Sequence, residues 1–269
     1  MTVSPATTST KGSTSPVLQT RGLVKRFGGL LATDAVSIEL LPGELHALIG
    51  PNGAGKTTLI SQLTGELRPD QGDILMTGHN VNHLSVEKRA QLGLARSYQI
   101  TQILPDFTAL ENVAMAVLAK RNQAKASSGL GAWKLLIRET TIQSPALAAL
   151  KQVGLESQAD ISAKVMAHGE HRQLELAMAL ALQPKLLLLD EPLAGMSGAE
   201  SETMIELLLA LKGRYPILLV EHDMNAVFKL ADRISVLVYG KVIASGRPDQ
   251  IKNDAEVRQA YLGDDALVA

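Results

Sequence analysis

Short apolar runs alternate with amphipathic segments along most of this chain. Residues 44–49, 185–189 and 217–220 are mainly apolar runs of strand length. The clearest helical face, which ends before Pro184, carries Leu174, Ala177, Met178, Ala181 and Leu182. Continuous apolar strands that alternate with helices are typical of a parallel sheet covered on both faces. The pattern therefore predicts an α/β fold with a mainly parallel sheet.

Shorter elements surround this framework. Strands are predicted at residues 35–40 and 74–77, and a hairpin is predicted where residues 234–238 and 242–244 flank Tyr239 and Gly240. Helices are predicted at residues 55–63, 85–91, 109–120 and 204–211. Between residues 121 and 155 helical segments are interrupted by serine and glycine, which predicts a mainly helical insert with Trp133 as a packing anchor.

The composition narrows the class of protein. The chain has 269 residues, 46% of them hydrophobic, so it can bury a real core, and it has no cysteine for a disulfide or a thiolate metal site. A net charge of −1 shows no excess of basic residues of the kind that binds nucleic acid, and we expect no nucleic-acid partner. No apolar window is long enough to span a membrane. Residues 1–16 are rich in serine and threonine, which predicts a flexible tail and not a signal peptide.

The most specific motif is the stretch GPNGAGKT at residues 50–57. It fits the phosphate-binding template G-x-x-x-x-G-K-[ST], in which backbone N–H groups surround the phosphates. Lys56 would reach the β and γ oxygens, and the Thr57 hydroxyl would bind Mg²⁺. The predicted nucleotide-binding residues of this loop are Gly50, Pro51, Asn52, Gly53, Ala54, Gly55, Lys56, Thr57 and Thr58.

Acidic and basic side chains follow two predicted strands. Asp190 and Glu191 end the leucine run at residues 186–189, and His222 follows the run at 217–220. Beside a phosphate loop, Asp190 would hold Mg²⁺ and Glu191 would face the attacking water. His222 would donate to the γ-phosphate, because ligands of open α/β sheets bind at this sheet edge. The combination predicts ATP hydrolysis; the competing interpretation is that Asp190 and Glu191 only start a turn.

Several motifs in order resemble the ATP-binding subunits of ABC transporters, specifically those of branched-chain amino acid uptake. They are VKRFGG at 24–29, the phosphate loop, RSYQ at 96–99, AHGE at 167–170, LDEP at 189–192, VEHD at 220–223 and AYLG at 260–263. The resemblance implies an ABC ATPase core with an N-terminal antiparallel β subdomain and an inserted α-helical subdomain. It implies an ATP-binding domain over residues 17–263, with the helical subdomain at about 97–182 and a C-terminal tail at 264–269.

The resemblance also assigns roles to residues that composition and spacing leave open. Phe27 resembles the aromatic residue that stacks on adenine, and Gln99 resembles the glutamine that contacts Mg²⁺ and water and senses the membrane subunits. His168, Gly169 and Glu170 occupy the family's signature, whose helix N-terminus would face the γ-phosphate of ATP held by a second ATPase.

Two departures from the family pattern bear on partners. The signature usually has serine at Ala167, and the loop after the catalytic glutamate often has aspartate at Ser197. Losing the serine weakens the site that this signature completes, so a heterodimer with an intact partner is favoured over a homodimer. The resemblance further implies two membrane permeases, an extracytoplasmic solute-binding protein, and a peripheral location on the cytoplasmic face of the inner membrane.

Three alternatives stay open. The cargo could be urea, short amides or other amino acids. The chain could instead be a soluble ABC ATPase of DNA repair or translation, or a regulatory module that binds nucleotide without hydrolysing it. The soluble ATPase predicts a coiled-coil insertion, tandem ATPase domains or a basic face, and the sequence has none of these: the insert is short, there is one phosphate loop, and the net charge is near zero. The regulatory module conflicts with the presence of Glu191 and His222.

Overall fold

A computed structural model describes residues 15–96, 103–122, 137 and 139–262 of the chain. Its strands are β1 Leu18–Phe27, β2 Leu30–Val36, β3 Glu39–Leu40, β4 Leu45–Ile49, β5 Gln71–Met76, β6 His79–Asn80, β7 Leu94–Arg96, β8 Leu186–Asp190, β9 Ile217–Val220, β10 Arg233–Val238 and β11 Lys241–Gly246. Its helices are α1 Lys56–Thr64, α2 Val86–Leu92, α3 Ala109–Asn122, α4 Thr140–Gln152, α5 His168–Ala181, α6 Gly198–Leu211, α7 Met224–Leu230, α8 Pro248–Asn253 and α9 Ala255–Val257. Short 3₁₀ turns follow α4, and a π turn follows α9.

Two sheets organise the described residues. The larger sheet has the order β11-β10-β4-β9-β8-β7, in which β10 to β7 run parallel and β11 pairs antiparallel with β10. The smaller sheet joins β2, β1, β5 and β6, with β3 beside β1, and all its pairs are antiparallel. The mainly parallel sheet and the N-terminal antiparallel subdomain are thus confirmed.

Alternate residues of the parallel strands enter two different cores. Leu186 and Leu188 of β8 pack with the apolar side of α1 and the antiparallel sheet, whereas Leu187 and Leu189 pack with the helices on the other face. All four leucines are at most 1% exposed. A strand buried on both faces needs no polar alternation, which explains the continuous leucine run in the sequence.

Helices α3, α4 and α5 lie between β7 and β8 in the chain and pack against one another. They form the inserted helical part that the resemblance implied, although its limits at about 97–182 stay a prediction. Trp133 lies outside the described residues. Across the part of the chain that the structure covers, no helix combines the length and apolar character that a membrane span requires.

Candidate nucleotide-binding site

The phosphate loop connects buried strand β4 to helix α1, as the sequence predicted. Gly53 and Gly55 have φ values of 79° and 105°, in the left-handed region that favours glycine. At Gly55 a Cβ atom would also overlap the carbonyl oxygen of Ala32. The loop therefore has no side chains at these glycines next to the start of α1, so its backbone N–H groups and the positive end of the helix can face an anion.

Lys56 lies inside this loop. Its ammonium donates hydrogen bonds to the carbonyls of Gly50, at 2.5 Å, and Pro51, at 3.1 Å. Burial lowers the pKa of Lys56, while the nearby carboxylates of Glu191 and Asp190 act to raise it. A buried ammonium held at the centre of a glycine loop suits the γ-phosphate contact predicted for it.

A cleft of about 390 Å³ opens above the loop, within the size range of small-molecule sites. Its lining is Phe27, Leu30, Leu31, Ala32, Asn52, Gly53, Ala54, Gly55, Lys56, Thr57, Thr58, Glu191 and Tyr239. Phe27 is 49% exposed there, so part of its ring is accessible for the stacking predicted for it. The structure thus brings most predicted loop residues, Phe27 and Glu191 to one cleft.

Tyr239 is a lining residue that sequence reasoning treated only as part of a hairpin turn. It is 86% exposed, and the adjacent Gly240 donates its N–H to the carbonyl of Ala54 at 2.8 Å. This bond ties the β10–β11 turn to the phosphate loop. The signal available in the sequence was an aromatic residue at the tip of a tight turn, which by itself does not indicate what the turn contacts.

Asp190 ends β8 beside the loop and pairs with a buried arginine. Its carboxylate accepts a hydrogen bond from Arg96 at 2.9 Å, and Arg96 also contacts Glu66 at 3.2 Å. Asp190 is 18% exposed and Arg96 is 3% exposed. Arg96 therefore orients the carboxylate that was predicted to hold Mg²⁺.

Glu191 and His222 face each other at the same sheet edge. Their side chains are 42% and 51% exposed, and His222 Nε2 lies 3.4 Å from Glu191 Oε2. The backbone of Glu191 is left-handed, with a φ of 50°, and its N–H donates to the carbonyl of Val220 at 2.8 Å. Such strained backbone persists where the surrounding structure fixes it, often at functional sites.

The signature residues do not line this cleft. Ala167 is the N-cap of α5 and offers no side-chain cap, while Glu170 accepts from the N–H of Ala167 at 2.8 Å and from Gln158 at 2.6 Å. His168 Nε2 lies 3.3 Å from the carbonyl of Ala194. The segment thus sits beside the loop that follows Glu191, apart from the chain's own phosphate loop.

A carboxylate from the next helix reaches the signature. Glu200 accepts from the N–H of Gly169 at 2.9 Å and also caps α6 through Ser197, whose N–H and hydroxyl donate at 2.9 and 2.7 Å. Hydrogen bonds from Ser197, and then from Gly169, lower the pKa of Glu200 to about 2. Ser197 thus serves as an N-cap in the position where the family often has aspartate.

Gln99, predicted to contact Mg²⁺ and water, lies outside the described residues. The other predicted Mg²⁺ ligands, Thr57 and Asp190, lie at the start of α1 and the end of β8. A hydroxyl and a carboxylate are oxygen donors, the type that Mg²⁺ prefers, together with phosphate oxygens. The donor set fits this ion, and the bare glycine backbone with a buried lysine fits a nucleoside triphosphate.

Comparisons with known proteins also indicate an ATP-binding protein of the ABC transporter family. A family described as ABC transporter matches residues 33–194, and one described as branched-chain amino acid ATP-binding cassette transporter matches residues 241–266. The chain is 39% identical to the high-affinity branched-chain amino acid transport ATP-binding protein LivG of Escherichia coli K12, over 93% of this chain and 98% of LivG. It is 35% identical to the protein of that description named BraF from Pseudomonas aeruginosa, with the same coverage.

The fold is also similar to solved structures. An ATP-binding cassette of an ABC transporter in its ADP conformation superposes with a TM-score of 0.79 at 28% identity, over 93% of this chain and 100% of that chain. A nucleotide-free ATP-binding cassette gives the same values.

Proposed function

This chain belongs to the ABC transporter family of ATP-binding proteins, and we propose that it is the ATP-hydrolysing subunit that drives uptake of branched-chain amino acids. The observation that carries the proposal is the convergence of the glycine loop, Lys56 and Glu191 on one cleft, with His222 3.4 Å from the Glu191 carboxylate. The cargo comes from the descriptions of LivG and BraF and from the match at residues 241–266.

The proposed hydrolysis uses these side chains in the following roles. The carboxylate of Glu191 takes a proton from water as the water oxygen bonds to the γ-phosphorus and the bond to the ADP oxygen breaks. His222, held 3.4 Å from that carboxylate, orients it and donates to the γ-phosphate. Lys56 balances the charge that develops on the phosphate oxygens. Thr57 and Asp190 would hold Mg²⁺, which would supply further charge neutralisation when bound.

The signature's place supports an assembly of more than one ATPase. His168, Gly169 and Glu170 start α5 away from the chain's own cleft, so we propose that they act on nucleotide held by a second ATPase subunit. Two membrane permeases and an extracytoplasmic solute-binding protein complete the proposed importer, with this chain on the cytoplasmic face of the inner membrane.

The test is to purify the tagged chain from its native membrane, identify what accompanies it and measure ATP hydrolysis. The expected result is two permeases and a different ATPase in the preparation, with ATP hydrolysis in E191Q reduced to a small residual rate. A chain that is recovered alone and hydrolyses ATP without permeases would favour the soluble ATPase. Unchanged hydrolysis in E191Q would favour a regulatory module.

Cargo needs a separate measurement. In cells that carry the E191Q variant, we expect uptake of labelled leucine, isoleucine and valine to fall while uptake of urea and short amides stays unchanged. The opposite pattern would replace the cargo while leaving the ATPase assignment intact.

The effect of the departure at Ala167 can be tested by restoring the serine. In the purified complex, A167S adds a hydroxyl to a phosphate-facing N-cap, and a hydrogen bond to a charged group contributes about 1.5–3 kcal/mol. Turnover should then rise by roughly tenfold if the site completed by this signature limits the rate. An unchanged rate in a complex of two different ATPases would contradict the idea that the missing serine weakens that site.

A further inference from the structure

Glu221 is a buried carboxylate that the hydrolytic scheme does not use. It lies between β9 and His222 and is 2% exposed. One of its oxygens accepts from the N–H of Leu193 at 2.9 Å, and the other accepts from the N–H of His222 at 3.0 Å. Within the described ranges no cationic side chain forms an ion pair with it, so two backbone N–H groups stabilise the charge of its carboxylate.

These two N–H groups belong to the segments that carry the reacting side chains. Leu193 follows Glu191 by two residues, and His222 is itself the second member of the pair. A third bond, from the N–H of Glu191 to the carbonyl of Val220, joins the same two segments at 2.8 Å. Two hydrogen bonds therefore join the backbone after β8 to the segment after β9, and the bond from His222 holds the Glu221 carboxylate against its own neighbour.

The side chains of Glu191 and His222 cannot be fixed by packing, because each is about half exposed. Their 3.4 Å separation depends instead on the backbones from which they project. Glu191 has left-handed backbone, a conformation that persists only where neighbouring contacts hold it. The Glu221 side chain bonds Leu193, two residues beyond Glu191, and also bonds the backbone of His222, so it contacts both segments from which the pair projects.

We infer that Glu221 is a positioning residue for ATP hydrolysis, which sets the distance between Glu191 and His222 without contacting nucleotide. A carboxylate suits this task because both of its oxygens only accept hydrogen bonds. Glutamine has nearly the same shape, yet its NH₂ group would face one of the two N–H donors. The inference rests on hydrolysis at this site and not on the transported cargo.

The experiment compares wild type, E221Q and E44Q in ATP binding and in hydrolysis by the purified complex. Glu44 is the control, because it is also a buried carboxylate, 9% exposed, that accepts from a backbone N–H, that of Leu41 at 2.7 Å. It also pairs with Arg233 at 2.7 Å, and it lies at the opposite end of β4 from the phosphate loop, so its loss disturbs a buried carboxylate away from the reacting groups. We expect E221Q to lower kcat by roughly 10- to 100-fold, the cost of a small misplacement of reacting groups, with ATP affinity nearly unchanged. E44Q should keep the wild-type kcat.

A double variant separates positioning from general damage. If Glu221 acts through Glu191, adding E221Q to E191Q should reduce the residual rate far less than E221Q reduces the wild-type rate. Full kcat in folded E221Q, equal losses of kcat and ATP affinity, or additive effects in E191Q/E221Q would each overturn the inference. If E221Q does not fold, E221D replaces it: its shorter stem cannot reach both N–H groups, so a wild-type kcat would also overturn the inference.

The wild-type and E191Q rates report the proposed function independently. If wild type does not hydrolyse ATP, the ATPase assignment fails before Glu221 is tested. If wild type hydrolyses ATP and E191Q retains only a small residual rate, the outcome for E221Q bears on Glu221 alone.

Discussion

Replacing Arg89 should destabilise the protein by an amount that depends on the shape of the new side chain. Arg89 of α2 is fully buried and donates to the carbonyls of Gln62 and Leu63 at 2.6 and 2.8 Å, and to Leu84 at 3.3 Å. Burial lowers the pKa of Arg89 to about 10, so it remains charged at pH 7. The guanidinium thus sits at the negative C-terminal end of α1, whose N-terminus carries Lys56.

The magnitude follows from opposing terms. Hydrogen bonds from a charged donor contribute about 1.5–3 kcal/mol each, but burying the charge costs several kcal/mol, so the net value is much smaller than their sum. R89M fills most of the space and leaves the Leu63 carbonyl without this donor, which should cost roughly 1–3 kcal/mol. R89A also opens a cavity and should cost roughly 2 kcal/mol more.

Urea denaturation of the purified chain measures both differences. R247M is the control, because the Arg247 side chain is 78% exposed and its removal should change the free energy of unfolding by less than about 0.5 kcal/mol. R89M as stable as wild type would show that the capping bonds only offset the buried charge. Equal losses in R89M and R89A would show that no cavity forms, and either result refutes the reasoning.

Two further predictions concern the signature and the phosphate loop. E200A should lower the thermal midpoint most near pH 7, and the difference from wild type should shrink as pH falls from about 4.5 toward 2. The folded-state pKa of Glu200 is lowered to about 2, so the ionised carboxylate stabilises the fold above its unfolded pKa, and this stabilisation is lost in acid. A difference in thermal midpoint that is constant with pH would contradict this. G55A should abolish ATP binding in a nucleotide-binding assay, because its Cβ would overlap a backbone oxygen. In G53A the new Cβ has no atom within 4 Å, so this variant should pay only the roughly 1–2 kcal/mol that a side chain costs in left-handed backbone. Equal affinities in the two variants would contradict the steric argument.

Elements with a strong local pattern were predicted well from the sequence. The apolar runs at residues 186–189 and 217–220 are buried strands. The phosphate loop joins β4 to α1, and Gly65 is the left-handed C-cap of α1. The sequence pattern predicted no strand at β1, and the family motif at 24–29 only overlaps the end of it. Its pairing with β2 and β5 contains register shifts, so the two-residue alternation that marks a strand is broken there.

Contacts between distant charged side chains and backbone groups could not be predicted in the same way. Glu221 meets Leu193 across 28 residues, Glu200 meets Gly169 across 31, and Arg89 meets Gln62 across 27. None of these pairs has a periodic spacing, because each partner is a backbone group that any residue type would present equally well. The usable signal is a charged residue where the local pattern requires burial: Glu221 directly continues a fully apolar strand. A buried charge needs a partner, so such a residue predicts that a contact exists, and only the fold shows which functional segment it holds.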